Sequence, residues 1–179
     1  PVAAETYDGD LNDINGFHVT AEHATAALDA ARGGAVEMGS VGGGTGMICH
    51  EFKCGTGTSS RVVKIAEREY RLGVLVQANY GTRSSLRIAG VPVGEHLRKG
   101  AAGQETATDG DNGSIIIVVA TDAPLLSHQL KRLARRAGMG LARMGSYAGD
   151  GSGDIFVAFS TANAEALSGT PDGNAELLD

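Results

Sequence analysis

Residues 109–119, DGDNGSIIIVV, form the junction in this sequence whose residue types most directly suggest chemistry. A polar run ends at Asn112-Gly113, and the hydroxyl residue Ser114 then opens an apolar run. Asn-Gly favours a tight turn between strands. Asn-Gly-Ser is also an N-glycosylation acceptor. A Gly-Ser bond at the start of a buried strand could also be one that the protein cleaves in itself.

The turn and the glycosylation site both lack the surroundings that they require. A hairpin turn needs a strand on each side, and the upstream residues QETATDGD are polar without alternation. A glycosylated Asn112 requires an exposed, secreted segment, whereas Ser114 leads directly into the apolar run IIIVV. These surroundings favour the third interpretation, self-cleavage of the Gly113–Ser114 bond.

Self-cleavage follows from the chemistry of a serine hydroxyl. The hydroxyl of Ser114 attacks the carbonyl of its own preceding peptide, and water hydrolyses the resulting ester. Glycine at position 113 suits the strained conformation that this attack requires. The cut leaves Ser114 as an N-terminus. Its α-amine, with a pKa of about 7.7–8.0, can then act as the general base for its own hydroxyl.

A second cluster of reactive residues lies in the stretch CHEFKC, with Cys49, His50, Glu51 and Cys54. A structural metal site normally needs four ligands in paired short spacings, and the chain has only one such group. Two cysteines are also too few for a disulfide framework. We therefore expect two reduced cysteines, no metal and no other cofactor, which is typical of a cytoplasmic protein.

Charge and composition limit the classes of partner. The chain has 179 residues, a formal net charge of −6 and 42% apolar residues, which suits a single packed domain. The basic residues Lys131, Arg132, Arg135 and Arg136 fall on one predicted helix and read as its solvated face. An acidic chain without a basic stripe argues against nucleic acid. No apolar run approaches the ~18 residues of a membrane span.

Local patterns predict the elements that position Ser114. Residues 20–32 form a helix that begins at Thr20 and ends at the glycines 33–34, with a face of small residues that packs closely. Residues 61–65 and 70–79 are strands of an antiparallel hairpin, and 86–93 is a weaker extended segment. Residues 98–113 are a long polar loop.

After the junction the pattern changes to strand, helix and strand. The run 114–121 is a buried central strand, and 124–138 is a helix with Asp122 as its N-cap and Gly138 and Gly140 at its end. The run 154–161 is another buried strand, and the chain beyond 164 is polar. This succession predicts a layered α/β sandwich.

Seven stretches of the chain resemble the DmpA-type self-processing aminopeptidases, the L-aminopeptidase/D-esterase and β-aminopeptidase family. They cover nearly all of residues 1–163 and follow the family's order. In chain order they are AETYDGDLNDINGFHV, VGGGTGMICHEFKCGTGTSSR, LGVLVQANYG, LRIAGVPVG, GSIIIVVATDAPLL, HQLKRLARRAGMGLAR and GSGDIFVAFSTAN.

The resemblance implies a role for each matching residue. Ser114 would be the nucleophile after cleavage at Gly113–Ser114, and the side-chain amide of Asn79 would stabilise the oxyanion. Ser152 and Asp154 would orient or relay protons beside the nucleophile. The matches also place Tyr7 at the active site, where it would bind substrate together with Gly43 and Gly44 of the glycine loop.

The resemblance also implies an architecture. The fold would be an αββα four-layer sandwich similar to the N-terminal-nucleophile hydrolases but with different connectivity. Residues 1–113 would be the C-terminal part of an α subunit, and 114–179 the N-terminal part of a β subunit. Both would belong to one domain of a longer precursor that assembles into oligomers of αβ units, in the cytoplasm or, alternatively, the periplasm.

Two other functions remain open at this stage. An acyltransferase could use the same nucleophile and pass the acyl group to an amine, as in the similar ornithine acetyltransferases, where threonine is usual at the nucleophile position. A non-catalytic module could instead use the glycine loop 42–46 to hold an anionic ligand. Serine at position 114 favours the hydrolase, whose substrate would be a peptide or an aminoacyl amide or ester.

Overall fold

A four-stranded sheet organises the part of the chain that the computed structural model describes, which is residues 3–97, 113–164 and 178. Three short 3-10 turns and a two-stranded hairpin precede or flank it. In chain order the helices and strands are α1 (Ala21–Asp29), β1 (Ile48–Cys49), β2 (Phe52–Lys53), β3 (Thr56–Ile65), β4 (Arg68–Asn79), α2 (Val93–His96), β5 (Ser114–Thr121), α3 (Ser127–Arg143) and β6 (Gly153–Ser160).

The spatial order of the large sheet is β3-β4-β5-β6. Strands β3 and β4 form the predicted antiparallel hairpin, β4 pairs antiparallel with β5, and β5 pairs parallel with β6. A parallel pair needs a crossover connection, which α3 supplies. The central strands β4 and β5 therefore join the parts of the chain on either side of the Gly113–Ser114 bond.

The core lies between β5 and α3. Along β5, Ile115, Ile117 and Val119 are buried and alternate with half-buried residues, as expected when one face of a strand packs on a helix. Leu141 of α3 belongs to the same buried cluster. On the opposite face of the sheet, apolar side chains such as Phe159 remain 44% exposed. The described residues thus build one helical layer and one sheet of the predicted sandwich.

Helix α3 differs from its prediction at both ends. It begins at Ser127, because the Asp122 carboxylate accepts a hydrogen bond of 2.6 Å from the backbone N–H of Arg71 and does not cap the helix. At its other end the helix runs through Gly138 to Arg143. A Cβ on Gly138 would make an ordinary van der Waals contact of 3.4 Å with the ring of Phe156, so β6 supports the helix at this position and the glycine does not end it.

Three other predicted elements differ from those in the structure. Strand β3 begins at residue 56, earlier than predicted, because the polar TGTSS segment forms the exposed edge of the sheet. Residues 86–93 are not a strand. They turn at Ala89 and Gly90, both with positive φ, and only Ile88 and Val91 form a bridge. Helix α1 has no residue buried by the described part of the chain, so the predicted close packing is not met there.

Some predictions fall outside the described residues. They concern the polar loop over positions 98–112 and most of the tail beyond 164. Among the residues that are described, no helix is long and apolar enough to cross a membrane.

The prediction of two reduced cysteines is wrong, because Cys49 and Cys54 form a disulfide. The antiparallel pairing of β1 with β2 folds the intervening residues back and brings the two Cα atoms to 5.3 Å, within bonding range. His50 and Glu51 form the tip of this hairpin, both with left-handed backbone. A spacing of five residues in the sequence is compatible with a disulfide only when such a turn forms between them.

Candidate active site

The sheet register brings Asn79, Ser114 and Gly153 side by side. Asn79 ends β4, Ser114 begins β5 and Gly153 begins β6. Asn79 pairs with Ser114, and Ser114 pairs with Gly153. Directly paired residues in a sheet point to the same face, so the side chains of Asn79 and Ser114 meet. Two residues that lie 35 positions apart in the sequence are thus placed together by β-pairing alone.

Two hydrogen-bond donors contact the hydroxyl oxygen of Ser114. The residue is 7% exposed. Its Oγ accepts a hydrogen bond of 3.0 Å from the backbone N–H of Tyr7 and one of 3.3 Å from the Nδ2 of Asn79. In acyl transfer the negative charge of the tetrahedral intermediate develops on the attacked carbonyl oxygen, so a donor beside the Ser114 Oγ stabilises it when that oxygen comes to lie next to the same donor.

The amide of Asn79 has a defined orientation. Its Oδ1 accepts a hydrogen bond of 2.8 Å from the backbone N–H of Ile48. A backbone N–H can only donate, so it selects the oxygen of the amide and leaves the Nδ2 for Ser114. Asn79 is itself buried, which strengthens its electrostatic effect on neighbouring atoms. The structure thus places the Nδ2 of Asn79 beside the Ser114 Oγ, while its oxyanion role stays a prediction.

Gly113 is held tightly beside the nucleophile. Its carbonyl oxygen accepts a hydrogen bond of 3.0 Å from the backbone N–H of Gly153. A Cβ at position 113 would lie 2.7 Å from the Cα of Tyr80 and 3.0 Å from the carbonyl oxygen of Asn79. The sequence predicted that glycine at 113 is needed because the backbone there is strained. The structure gives a second reason: there is no space for a side chain, because both close neighbours are backbone atoms that cannot rotate away.

We expect Gly113→Ala to slow self-cleavage by about tenfold or more, because overpacking costs about 1–3 kcal/mol and moves the scissile carbonyl from Gly153. The measurement is the rate of appearance of the two pieces on denaturing gels. Hydrolysis per cut molecule should stay unchanged, since residue 113 then ends a separate piece. The matched control is Gly57→Ala, where a Cβ would meet nothing within 4 Å. Cleavage of Gly113→Ala at the wild-type rate would contradict the steric argument.

Ser152 and Asp154 flank Gly153, next to the nucleophile. The Ser152 Oγ donates a hydrogen bond of 2.5 Å to the Asp154 Oδ1. A Cβ on Gly153 would lie 3.8 Å from the Cβ of Ser114, so the loop carrying this pair runs directly past Ser114. A hydroxyl bound to a carboxylate can orient and relay a proton. The two residues are brought together as predicted, while their catalytic role stays a prediction.

Tyr7 reaches the site through its backbone. Its N–H contacts Ser114, whereas its side chain is half exposed and lines the cleft beside Gly9. Gly43 and Gly44 are not among the residues that line the cleft. A Cβ on Gly43 would meet the side chain of Gln77, and one on Gly44 would meet backbone atoms. Their role in substrate binding stays a prediction that this geometry does not support.

The residues of the CHEFKC stretch have partners other than a metal. The Nδ1 of His50 lies 2.8 Å from the carbonyl oxygen of Thr82, and the Glu51 carboxylate lies 3.3 Å from the Nε of Arg83. In the described residues, no group of three or more His, Cys, Asp or Glu is placed to hold a metal ion. The sequence did not predict that the backbone N–H of Ile48 orients the Asn79 amide, because no residue type marks a backbone donor.

The cleft around Ser114 is acidic with an apolar wall. Burial raises the pKa of Tyr80, which keeps this lining residue uncharged. Acidic side chains along the cleft outnumber basic ones and favour a cationic ligand. The acidic lining residues are Glu5, Asp8, Asp10, Asp13 and Asp154, and the aliphatic and phenylalanine residues of the wall are Ile14, Phe17, Val19, Ile48 and Ile155.

Comparison with known proteins identifies the family. The profile of peptidase family S58 matches residues 1–178. The chain belongs to peptidase family S58. It is 58% identical over 178 residues to the beta-peptidyl aminopeptidase BapA of Sphingosinicella microcystinivorans, covering 94% of this chain and 45% of that protein. It is 51% identical to BapA of Sphingosinicella xenopeptidilytica, covering 96% and 44%.

Solved structures of two aminopeptidases give the fold. The L-aminopeptidase D-Ala-esterase/amidase of Ochrobactrum anthropi, described as a prototype of the serine aminopeptidases and a variant of the Ntn hydrolase fold, matches with a TM-score of 0.84 and 52% identity over 97% of this chain and 46% of that chain. A Burkholderia β-aminopeptidase matches with a TM-score of 0.81 and 51% identity over 98% and 49%.

These comparisons confirm the predicted family and the Ntn-hydrolase-like α/β fold. The chain spans about half the length of the relatives that it matches. The relatives named above are aminopeptidases or an esterase/amidase, which favours a hydrolase over an acyltransferase or a non-catalytic binding module.

Proposed function

We propose that the protein is a self-cleaving serine aminopeptidase that uses Ser114 as an N-terminal nucleophile. One observation carries the proposal: the buried Ser114 Oγ, next to the Gly113 carbonyl, accepts hydrogen bonds from both the Tyr7 N–H and the Asn79 amide. Membership of peptidase family S58 supports the same activity.

Self-cleavage would begin with attack of the Ser114 Oγ on the carbonyl carbon of Gly113. The N–H of Gly153, which binds the Gly113 oxygen at 3.0 Å, would stabilise the negative charge that develops there. The C–N bond then breaks, and the proton lost by the hydroxyl passes to the released amine. Water hydrolyses the ester between Gly113 and Ser114, which yields a carboxylate on one piece and a free α-amine on the other.

Substrate hydrolysis would reuse the same oxygen. The α-amine of Ser114 takes the proton of its hydroxyl, the Oγ attacks the substrate carbonyl, and Asn79 holds the oxyanion through its Nδ2. The proton then passes to the leaving amine as an acyl-enzyme ester forms. Water, deprotonated by the same α-amine, releases the acyl group and restores the hydroxyl. Ser152 and Asp154 would orient these protons.

The two pieces would stay together after cleavage. Strand β4 lies before the cut and β5 after it, and the two pair from Leu72–Thr121 to Asn79–Ser114. Tyr80 also packs in the same core cluster as β5. We therefore infer that residues up to 113 and those from 114 behave as α and β subunits of one domain. Assembly of such αβ units into larger oligomers stays a prediction.

The acidic cleft favours substrates with a free amine. An N-terminal ammonium is attracted by the carboxylates around the cleft, and the apolar wall suits an apolar side chain. The substrate class would therefore be peptides, amides or esters whose N-terminal residue is unblocked. This charge preference separates an aminopeptidase from an endopeptidase, which acts within a chain.

A comparison of blocked and unblocked substrates tests the proposed function. Full-length, cut protein would be assayed with aminoacyl p-nitroanilides and with their N-acetylated counterparts. We expect release of p-nitroaniline from the free amines and a loss of about fivefold on acetylation, since a partly exposed charge contact contributes up to about 1 kcal/mol. Equal rates on both series, or no release from either, would contradict the proposal.

The sequence predicted a cytoplasmic location, with the periplasm as the alternative. The cytoplasmic prediction depended on reduced cysteines, and the Cys49–Cys54 disulfide removes that reason. Disulfides persist mainly in oxidising compartments such as the bacterial periplasm. We therefore propose the periplasmic alternative, which fractionation of cells expressing the full-length protein would test.

A further inference from the structure

We propose that the disulfide-closed hairpin of residues 48–54 is the positioning device for Asn79, and that reducing the disulfide lowers catalysis without unfolding the protein. This inference rests on the proposed function, because it assigns the hairpin to the oxyanion-stabilising amide. Cys49, Cys54 and Ile48 are positioning residues here, since they act through Asn79 and do not contact the reacting atoms.

The orientation of Asn79 depends on the first residue of the hairpin. The Ile48 N–H binds the Oδ1 of Asn79 at 2.8 Å, and this bond directs the Nδ2 to the Ser114 Oγ at 3.3 Å. Without that donor the amide could rotate and present its oxygen to Ser114. An oxygen facing the oxyanion would repel the charge that the Nδ2 stabilises.

The rest of the hairpin contacts the chain on both sides of Asn79. The Cys49 Sγ lies 3.1 Å from the carbonyl oxygen of Ala78, a contact without a shared proton, because a disulfide sulfur carries none. The His50 N–H donates to the carbonyl oxygen of Tyr80 at 2.8 Å. The His50 imidazole then binds the Thr82 carbonyl, also at 2.8 Å. The hairpin thus holds the end of β4 at residues before and after the catalytic amide.

Besides the disulfide, the Cys54 N–H donates to the Met47 carbonyl oxygen at 2.8 Å, and the Lys53 Nζ donates to the Gly44 and Met47 carbonyl oxygens. The hairpin that these contacts close is nevertheless unfavourable in itself. Its strands β1 and β2 pair over only two positions, and two-stranded hairpins are marginal in water. His50 and Glu51 both adopt left-handed backbone, with φ of 49° and 63°, which disfavours non-glycine residues. The buried Nε2 of His50 has no hydrogen-bond partner among the described residues. The disulfide therefore opposes a local tendency of this turn to open.

Reduction would remove that closure by a defined reaction. Dithiothreitol supplies two electrons and two protons, converts the S–S bond into two thiols and becomes its own cyclic disulfide. The strained turn can then relax, and the Ile48 N–H withdraws from Asn79. We expect kcat to fall by about tenfold with KM within about twofold, since a misplaced catalytic donor costs rate more than binding.

The test uses full-length, cut protein and an aminoacyl p-nitroanilide. Values of kcat and KM are measured before and after dithiothreitol, with thiol titration to confirm reduction and a thermal melt to confirm folding. The Cys49→Ser/Cys54→Ser variant should show the lowered kcat from the start and no further response to dithiothreitol. A response of this variant as large as that of the wild type would assign the effect to other cysteines and overturn the proposal.

A double-mutant comparison separates positioning from general destabilisation. In an Asn79→Ala background, loss of Cys49 and Cys54 should leave kcat unchanged, because the amide that the hairpin positions is already absent. A fall in that background equal to the fall in wild type would overturn the positioning role. So would an unchanged kcat in wild type whose thiols titrate as free. Absence of hydrolysis in the oxidised wild type would instead refute the proposed function, and this inference with it.

Discussion

Replacing Ser114 with alanine is expected to abolish both self-cleavage and hydrolysis. The variant lacks the oxygen that attacks Gly113 and the oxygen that carries the acyl group, and removal of a serine nucleophile lowers kcat on the order of 10⁴-fold or more. The full-length variant should purify as a single uncut chain. Release of p-nitroaniline from aminoacyl substrates should fall to the level of the buffer.

Two variants serve as controls for the Ser114→Ala result. Ser59→Ala removes an exposed serine of β3 whose hydroxyl accepts a hydrogen bond from Arg61, and it should cleave and hydrolyse like the wild type. Ser114→Cys restores a nucleophilic atom at the same position and should recover self-cleavage in part. Substantial hydrolysis by Ser114→Ala would remove Ser114 from its role, whatever the state of the bond before it.

Replacing Asn79 with alanine is expected to have the second largest effect. The change removes the Nδ2 donor beside the Ser114 Oγ, and loss of one oxyanion donor costs about 2.7–4 kcal/mol, or roughly 10²–10³ in kcat. Because the donor acts on charge that develops during reaction, KM should change little. Self-cleavage should slow less, since the Gly153 N–H binds the oxygen of the scissile bond.

Asn79→Asp gives a sharper form of the same prediction. Aspartate keeps the oxygen that accepts from Ile48 but has no N–H for the oxyanion, so its kcat should fall at least as far as that of Asn79→Ala. Asn15→Ala, in an exposed turn, is the matched control and should keep wild-type kcat. A kcat within about threefold of wild type for Asn79→Asp would exclude the amide as the oxyanion donor.

The local arrangement around Ser114 could be predicted from the sequence to a considerable extent. The apolar run after Ser114 is a strand because its β-branched residues favour extended backbone and alternate between faces. Asn79 could be placed at the end of a strand for the same reason. Their meeting could be inferred only from family resemblance, because pairing register is a long-range property that a single strand does not encode.

The contacts that refine the site were not predictable, and the reason is physical. Tyr7 contacts Ser114 through its backbone N–H, and Ile48 contacts Asn79 through its own. Every residue except proline carries that donor, so no residue type identifies it. The Cys49–Cys54 bond depends on left-handed turn residues, His50 and Glu51, whose types disfavour that conformation. Sequence patterns therefore indicated ordinary cysteines where the fold forms a disulfide.

The predicted C-terminal end of helix α3 was wrong because the helix packs on the sheet. Glycine usually ends a helix, and Gly138 was predicted to end α3 on that basis. The ring of Phe156 in β6 lies within van der Waals range of a Cβ at this position, so α3 continues through Gly138 while it packs on β6. Packing on the sheet thus extends the helix through a residue whose own propensity opposes it.

The most direct test of the central claim is an intact-mass measurement, with N-terminal sequencing, of freshly purified full-length protein. The account predicts two pieces, the second with Ser114 as its first residue, and both should elute together under native conditions because β4 and β5 pair across the cut. A single uncut mass after prolonged incubation at neutral pH, or a second piece that begins at another residue, would contradict it.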